Sequence, residues 1–214
     1  MYVLRLFVDV LPPRAALALP GAPRVIYVRD GQARIAAQEQ SCALAENSAW
    51  HGGAGCEATA GPGGATLLRW ELAATGVAAA GPNLRHEADV ALDARQRYLL
   101  RCDRVDFPPG GVAYTHTHQG PGVRCLLRGS LEVRVHGGAQ LVQPGESWFE
   151  AGPDPVLALA SPAAPTSFVR CMVLPADLRG RPSIRYVLDE DRDKPKTQQY
   201  QVFIDDPIVL PRAD

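Results

Sequence analysis

Apolar residues along this chain come in short alternating or continuous bursts, cut at close intervals by glycine and proline, and the 3.6-residue period of a helix is scarce. Residues 1–11, 25–31 and 65–72 read as strands in the first half of the chain. In the second half the same pattern predicts strands at 98–107, 112–118, 122–127, 130–136, 147–150, 156–160 and 167–174. Residues 90–97 have helical propensity, and 175–179 fit a single helical turn. Residues 75–82, rich in Ala and Gly, make a linker, and 189–196 a charged exposed loop. Residues 198–204 and the run Ile208-Val209-Leu210 are apolar enough to need a surface to pack on.

The pattern repeats. Val25-Ile26-Tyr27-Val28-Arg29-Asp30-Gly31 aligns with Val123-Arg124-Cys125-Leu126-Leu127-Arg128-Gly129 at an offset of 123 − 25 = 98, and Ala49-Trp50 aligns with Ser147-Trp148 at the same offset. Val8-Asp9 aligns with Val105-Asp106 at 97, each ahead of a Pro-Pro pair. Leu68-Arg69 aligns with Val169-Arg170 at 101. Ordered anchors with slowly drifting offsets imply two copies of one half-protein, over residues 1–80 and 81–174, with 175–214 as an extension packing on a barrel or a partner chain.

One segment carries candidate chemistry. Gly111-Val112-Ala113-Tyr114-Thr115-His116-Thr117-His118 holds two of the five histidines. In an extended strand Tyr114, His116 and His118 share a face, and two imidazoles at that spacing can hold one metal ion. The first copy has Pro12 to Pro23 in that place and no histidine. Its His51, beside Trp50, reads as a core or rim residue.

Gly-x4-His-x-His, a turn, and an apolar strand ending in Gly129 resembles the first motif of the cupin superfamily. Pro144-Gly145-Glu146-Ser147-Trp148-Phe149-Glu150 resembles the lead-in to the second. The resemblance implies an all-β chain of two tandem jelly-roll barrels, a bicupin, with a small-molecule pocket in the C-terminal barrel. Cupin metal sites use three histidines and a glutamate. Here the glutamate position is Gly122 or Val123, and the third histidine, due near Val156, is missing.

That leaves His116 and His118 as ligands for a divalent metal (Fe, Mn, Ni or Zn), loosely held because ligand count sets affinity. Tyr114, Gln119, Cys125, Trp148 and Glu150 are the candidate pocket residues, with Glu150 the carboxylate of the second motif that could point inward. An inward arginine among Arg124, Arg128 and Arg170 would add a fork for a carboxylate. Two functions stay open. One is a metal-dependent enzyme (dioxygenase, hydrolase, decarboxylase or isomerase) acting on a small organic acid or aromatic. The other is a metal-free ligand-binding or sensing bicupin.

Composition narrows the partners. A net charge of −1 with no long basic run argues against nucleic acid or an anionic membrane. The 20 glycines and 19 prolines exceed the usual proportions of roughly 7% and 5%, as many turns require. No apolar run approaches a transmembrane span, and the N-terminus reads as a strand. Five cysteines without a Cys-x-x-Cys pair suit a reduced cytoplasmic protein. A homodimer is the expected assembly, with residues 181–210 crossing onto either the N-terminal barrel or the second chain.

Overall fold

The computed structural model describes residues 1–211, and they are almost entirely strands and turns. The chain forms two compact units, one of residues 1–100 with 206–211, the other of residues 101–205. The dividing point falls about twenty residues beyond the linker read from composition. The reason is β7 (Leu84–Val90), which pairs along β1 (Tyr2–Leu11) and so belongs to the first sheet. No helix forms at residues 90–97. The Asp93 carboxylate there accepts from the Arg95 backbone N–H at 3.0 Å, and a side chain that captures the backbone locally favours a turn. Among the described residues no helix is long and apolar enough to cross a membrane.

In the first unit the remaining strands are β2 (Ala16–Leu19), β3 (Arg24–Ala37), β4 (Gln40–Ala45), β5 (Ala49–Gly52) and β6 (Cys56–Ala74). Both β3 and β6 are long, and they run through the whole unit. Their outer halves give the order β5-β3-β6-β1-β7, and their inner halves β4-β3-β6-β2.

The second unit contains β8 (Tyr98–Phe107), β9 (Val112–His118), β10 (Gly122–Arg128), β11 (Leu131–Val135), β12 (Gly138–Val142), β13 (Ser147–Glu150), β14 (Val156–Ala160), β15 (Thr166–Pro175), β16 (Ile184–Tyr186) and β17 (Gln199–Ile208). They make two five-stranded sheets, β13-β10-β15-β8-β17 and β12-β11-β14-β9-β16. This is the first unit's order with each long strand broken in two. Val25 lies between His51 and Trp70, and Val123 lies between Phe149 and Cys171, so the 25–31 and 123–129 strands are equivalent. The Val8/Val105 anchor needs one correction. Asp9 shares the inward face of β1 with Phe7, which pairs with Arg69, whereas β8 turns Val105 and Phe107 inward. A one-residue slip moves a side chain to the other face, so the pairing is Asp9 with Val105.

Each unit has its own apolar core. Ile26, Val28, Ile35 and Leu67 centre the first, and Phe107, Leu131, Val156 and Phe168 the second. His51 sits on the face of β5 opposite Trp50, which packs against the first core. The extension adds strands to the second unit: β16 pairs β9 and β17 flanks β8. A 3-10 turn at Ala176–Leu178 takes the place of the expected helical turn, and residues 212–214 of the extension lie outside the described residues.

Gly31 and Gly129 mark the same bend in the two copies, at φ of 80° and 74°. A Cβ on Gly129 would meet the Thr166 hydroxyl and lie 2.7 Å from the Pro165 carbonyl, and one on Gly31 would meet the Gly64 carbonyl. Gly129→Ala and Gly31→Ala should therefore each cost about 1–3 kcal/mol in urea unfolding. Gly137→Ala, at φ 76° with open space around it, should cost less than either.

Candidate functional site

The inward faces of β8, β9, β11, β13, β14 and β15, with Tyr200 of β17, enclose a small cavity in the second unit, with a volume of about 20 Å³. That is room for little more than one water molecule. Phe107, Val156, Phe168 and Trp148 form its apolar wall; His116, His118, Glu150 and Arg170 form its polar end. Val156 is directly opposite His116 in the β9–β14 ladder, so an apolar side chain stands in the third-histidine position.

The strand carrying the histidines does not alternate cleanly. Val156 pairs with His116 and Ala158 with Ala113, so two residues, Tyr114 and Thr115, bulge opposite one. Ala113, His116 and His118 consequently line the cavity, and Tyr114 does not. Its ring lies outside, 5.2 Å from the Lys194 ammonium and 5.5 Å from that of Lys196. The bulge gives Tyr114 a different part. Its carbonyl is 2.6 Å from His116 Nδ1, which donates there, leaving the His116 Nε2 lone pair to face the cavity.

Two further expected pocket residues are also elsewhere. Gln119 reaches out to the Pro182 carbonyl and accepts from Arg185. Cys125 is fully buried, but it follows the inward Arg124 and so points to the opposite face of β10. Trp148 and Glu150 do line the cavity. Glu150 pairs with Gly122 across the β10–β13 ladder, so the carboxylate enters from the strand beside the side-chain-free position.

Around this end four charges form two ion pairs. Arg170 grips Asp103 with Nε and Nη2, at 2.6 and 3.1 Å, and both groups are buried. Arg124 Nη2 lies 2.6 Å from Glu150 Oε2, while Glu150 Oε1 accepts from Trp148 Nε1 at 2.8 Å. Arg124 also donates to the Gly122 carbonyl at 2.5 Å. A Cβ on residue 122 would lie 3.1 Å from that same guanidinium and 2.7 Å from Met172 Cγ, so glycine is what leaves the space.

His116 Nε2 and His118 Nε2 are 3.2 Å apart, with Arg170 Nη1 3.3 Å and Glu150 Oε2 3.5 Å from His118 Nε2. Burial pushes the His116 pKa down. His118 is pushed well below the usual imidazole range by burial first, then by Arg170 and Arg124. Both rings are therefore neutral near pH 7. Burial also lowers the Arg124 pKa to about 10, which still leaves it charged. Arg170 is held above its ordinary value, because Asp103 outweighs the cost of burial.

Sequence reasoning missed Asp103 and did not choose among the arginines. The available signal was the alternation Asp103, Val105, Phe107 on β8, which places an acid opposite Arg170 on the inward side.

A resident metal fits these residues poorly. Two nitrogens of one tetrahedral ion with bonds of ~2.0–2.1 Å lie ~3.3 Å apart, and the pair has that spacing. No third ligand joins it, however, and among the described residues no group of three or more His, Cys, Asp or Glu is arranged to hold an ion. The carboxylates already balance the arginines, so a divalent ion would bring uncompensated charge into a buried space.

Two outcomes test this electrostatic account. Arg170→Met strands Asp103 and should cost about 3–5 kcal/mol in chemical denaturation, while Arg170→Met with Asp103→Leu should recover most of it. Because the folded state depresses both imidazole pKa values, the unfolded chain binds protons first on acidification. Stability should thus be full above pH ~6.5 and fall as the pH drops from there towards the lowered pKa values. The drop in urea midpoint between pH 7 and pH 5 should shrink in His118→Gln.

Neither a family model nor a curated protein sequence matches this chain. Solved structures do match in shape. AerE from Microcystis aeruginosa superposes with a TM-score of 0.61 at 13% identity, over 79% of this chain and 87% of that one. A cupin 2 conserved barrel domain protein from Leptotrichia buccalis gives 0.51 at 14% identity, over 80% and 83%. An oxalate decarboxylase from Lactobacillus farciminis, in a formate complex, gives 0.66 at 13% identity, over 91% of this chain and 82% of that one. With the repeated strand order and the barrel around His116 and His118, these likenesses identify the chain as having the cupin fold, built from two tandem jelly-roll copies.

Proposed function

We propose that the C-terminal barrel binds a small organic molecule, an organic acid or a compact aromatic, and that binding needs no resident metal. The observation that carries this reading is the charge-balanced polar end of the cavity, set against an aromatic wall. A pocket with an apolar body and a few convergent polar groups suits a ligand with a ring or short chain and one polar tip. His116 Nε2, which meets His118 Nε2 at 3.2 Å, and the Arg170 guanidinium supply an acceptor and a donor for that tip. The likeness to an oxalate decarboxylase in a formate complex supports a barrel of this kind as a small-molecule site.

A second reading, metal-dependent catalysis, has one observation in its favour, the 3.2 Å spacing of the two Nε2 atoms. An ion held by these two imidazoles alone would be loose and lost to a chelator.

Thermal shift with a panel of small carboxylates, phenols and enols, run in EDTA, separates the two. Ligands that raise Tm in EDTA, and lose that effect in Ala158→Leu, which fills the cavity, are expected here. If stabilisation appears only with added Zn(II), Mn(II), Ni(II) or anaerobic Fe(II), and disappears in His116→Ala with His118→Ala, the metal-dependent reading takes its place.

A further inference from the structure

Among the described residues the cavity has a single exposed wall. Of its lining residues, all but one are buried, and the exception is Tyr200 of β17, which is 48% exposed. A molecule coming from solvent therefore meets Tyr200 before it meets either histidine. The Tyr200 ring stands 5.8 Å from the Arg170 guanidinium, on the cavity's cationic side.

The segment leading into Tyr200 is fastened down. The buried Gln198 donates from Nε2 to the Tyr200 hydroxyl at 3.3 Å, and it also hydrogen-bonds Tyr186 of β16. Two residues earlier, the Lys196 ammonium donates to the carbonyls of Asp191, Arg192 and Lys194, which closes the turn around it. The same ammonium lies 4.4 Å from the centre of the Tyr186 ring, a cation–π contact that holds the turn against β16. Lys194 adds a 2.7 Å ion pair to the buried Asp191. Tyr200 thus ends a segment whose position is set by hydrogen bonds and ring contacts.

We infer that Tyr200 is the gate of the C-terminal pocket and the residue that limits the size of what enters. A cavity of about 20 Å³ admits an organic ligand only if one wall gives way. The twelve buried lining residues belong to packed strands, whereas the Tyr200 side chain already borders water and can swing out at low cost. Its hydrogen bond to Gln198 holds the closed position, and Lys196 keeps Gln198 in place. This inference rests on the cavity being a ligand site. Its test reads the protein's own imidazoles, so it does not depend on any ligand being found.

Diethyl pyrocarbonate acylates neutral imidazole nitrogen, and peptide mass spectrometry separates the modified positions. Rates at His116 and His118 would be compared in the full chain and in Tyr200→Ala, Tyr200→Phe and Tyr200→Trp, with exposed His136 as the internal reference. Tyr200→Ala should raise the rate at His116 and His118 several-fold and leave His136, His51 and His86 unchanged. Tyr200→Phe, which keeps the ring and loses the Gln198 bond, should fall between Tyr200→Ala and wild type, and Tyr200→Trp should be no faster than wild type. Lys196→Ala, which frees the segment, should also speed the reaction. The inference fails if Tyr200→Ala reacts at the wild-type rate. It fails equally if His51 and His86 in the other unit accelerate as much, since that is general loosening.

Discussion

The C-terminal barrel depends on charge balance in a space that excludes water. Arg170 and Arg124 are buried there with Asp103 and Glu150, and each cation lies within 2.6 Å of its acid. Removing any one would leave an unpaired buried charge, far costlier than the pair itself. From this the rest of the site follows. The histidines stay neutral because burial and two nearby guanidinium groups oppose a further positive charge. A divalent ion meets the same opposition, and Val156 and Gly122 stand where its other ligands would be needed.

The N-terminal barrel solves the same problem with different residues. Arg24 takes the position of Gly122, and its guanidinium turns onto Glu71 at 3.0 Å. Glu71 also pairs with Arg69 at 2.7 Å, and Arg69 with Asp9 at 2.7 Å, all of them buried. Leu19, opposite Cys56, stands where His116 is opposite Val156. An arginine and a leucine thus fill the room that glycine and histidine leave open in the second copy. One copy of the repeat has spent its interior on packing; the other has kept polar groups facing a cavity.

Backbone irregularity decides the chemistry within that cavity. A regular strand from Val112 to His118 would put the Tyr114 ring beside the histidines. The bulge at Tyr114 and Thr115 sends the ring outward and turns the Tyr114 carbonyl onto His116 Nδ1. The imidazole tautomer follows from that one hydrogen bond, and with it the lone pair offered to a ligand.

The sequence by itself determined the all-β class, the two-copy repeat, the equivalence of the strands ending in Gly31 and Gly129, and the barrel that holds His116 and His118. These were legible because strand period, turn glycines and motif spacing are local properties, written within a few residues of each other. Only the tertiary structure decided which charged side chains meet. Asp103 and Arg170 are 67 residues apart and touch because β8 and β15 are neighbours in one sheet. The fate of Tyr114, Gln119 and Cys125 was likewise beyond reach, since a single bulge or a change of face reverses where a side chain points. Tyr200 borders the cavity for the same reason: the apolar tail needed a surface, and the open edge of β8 supplied it.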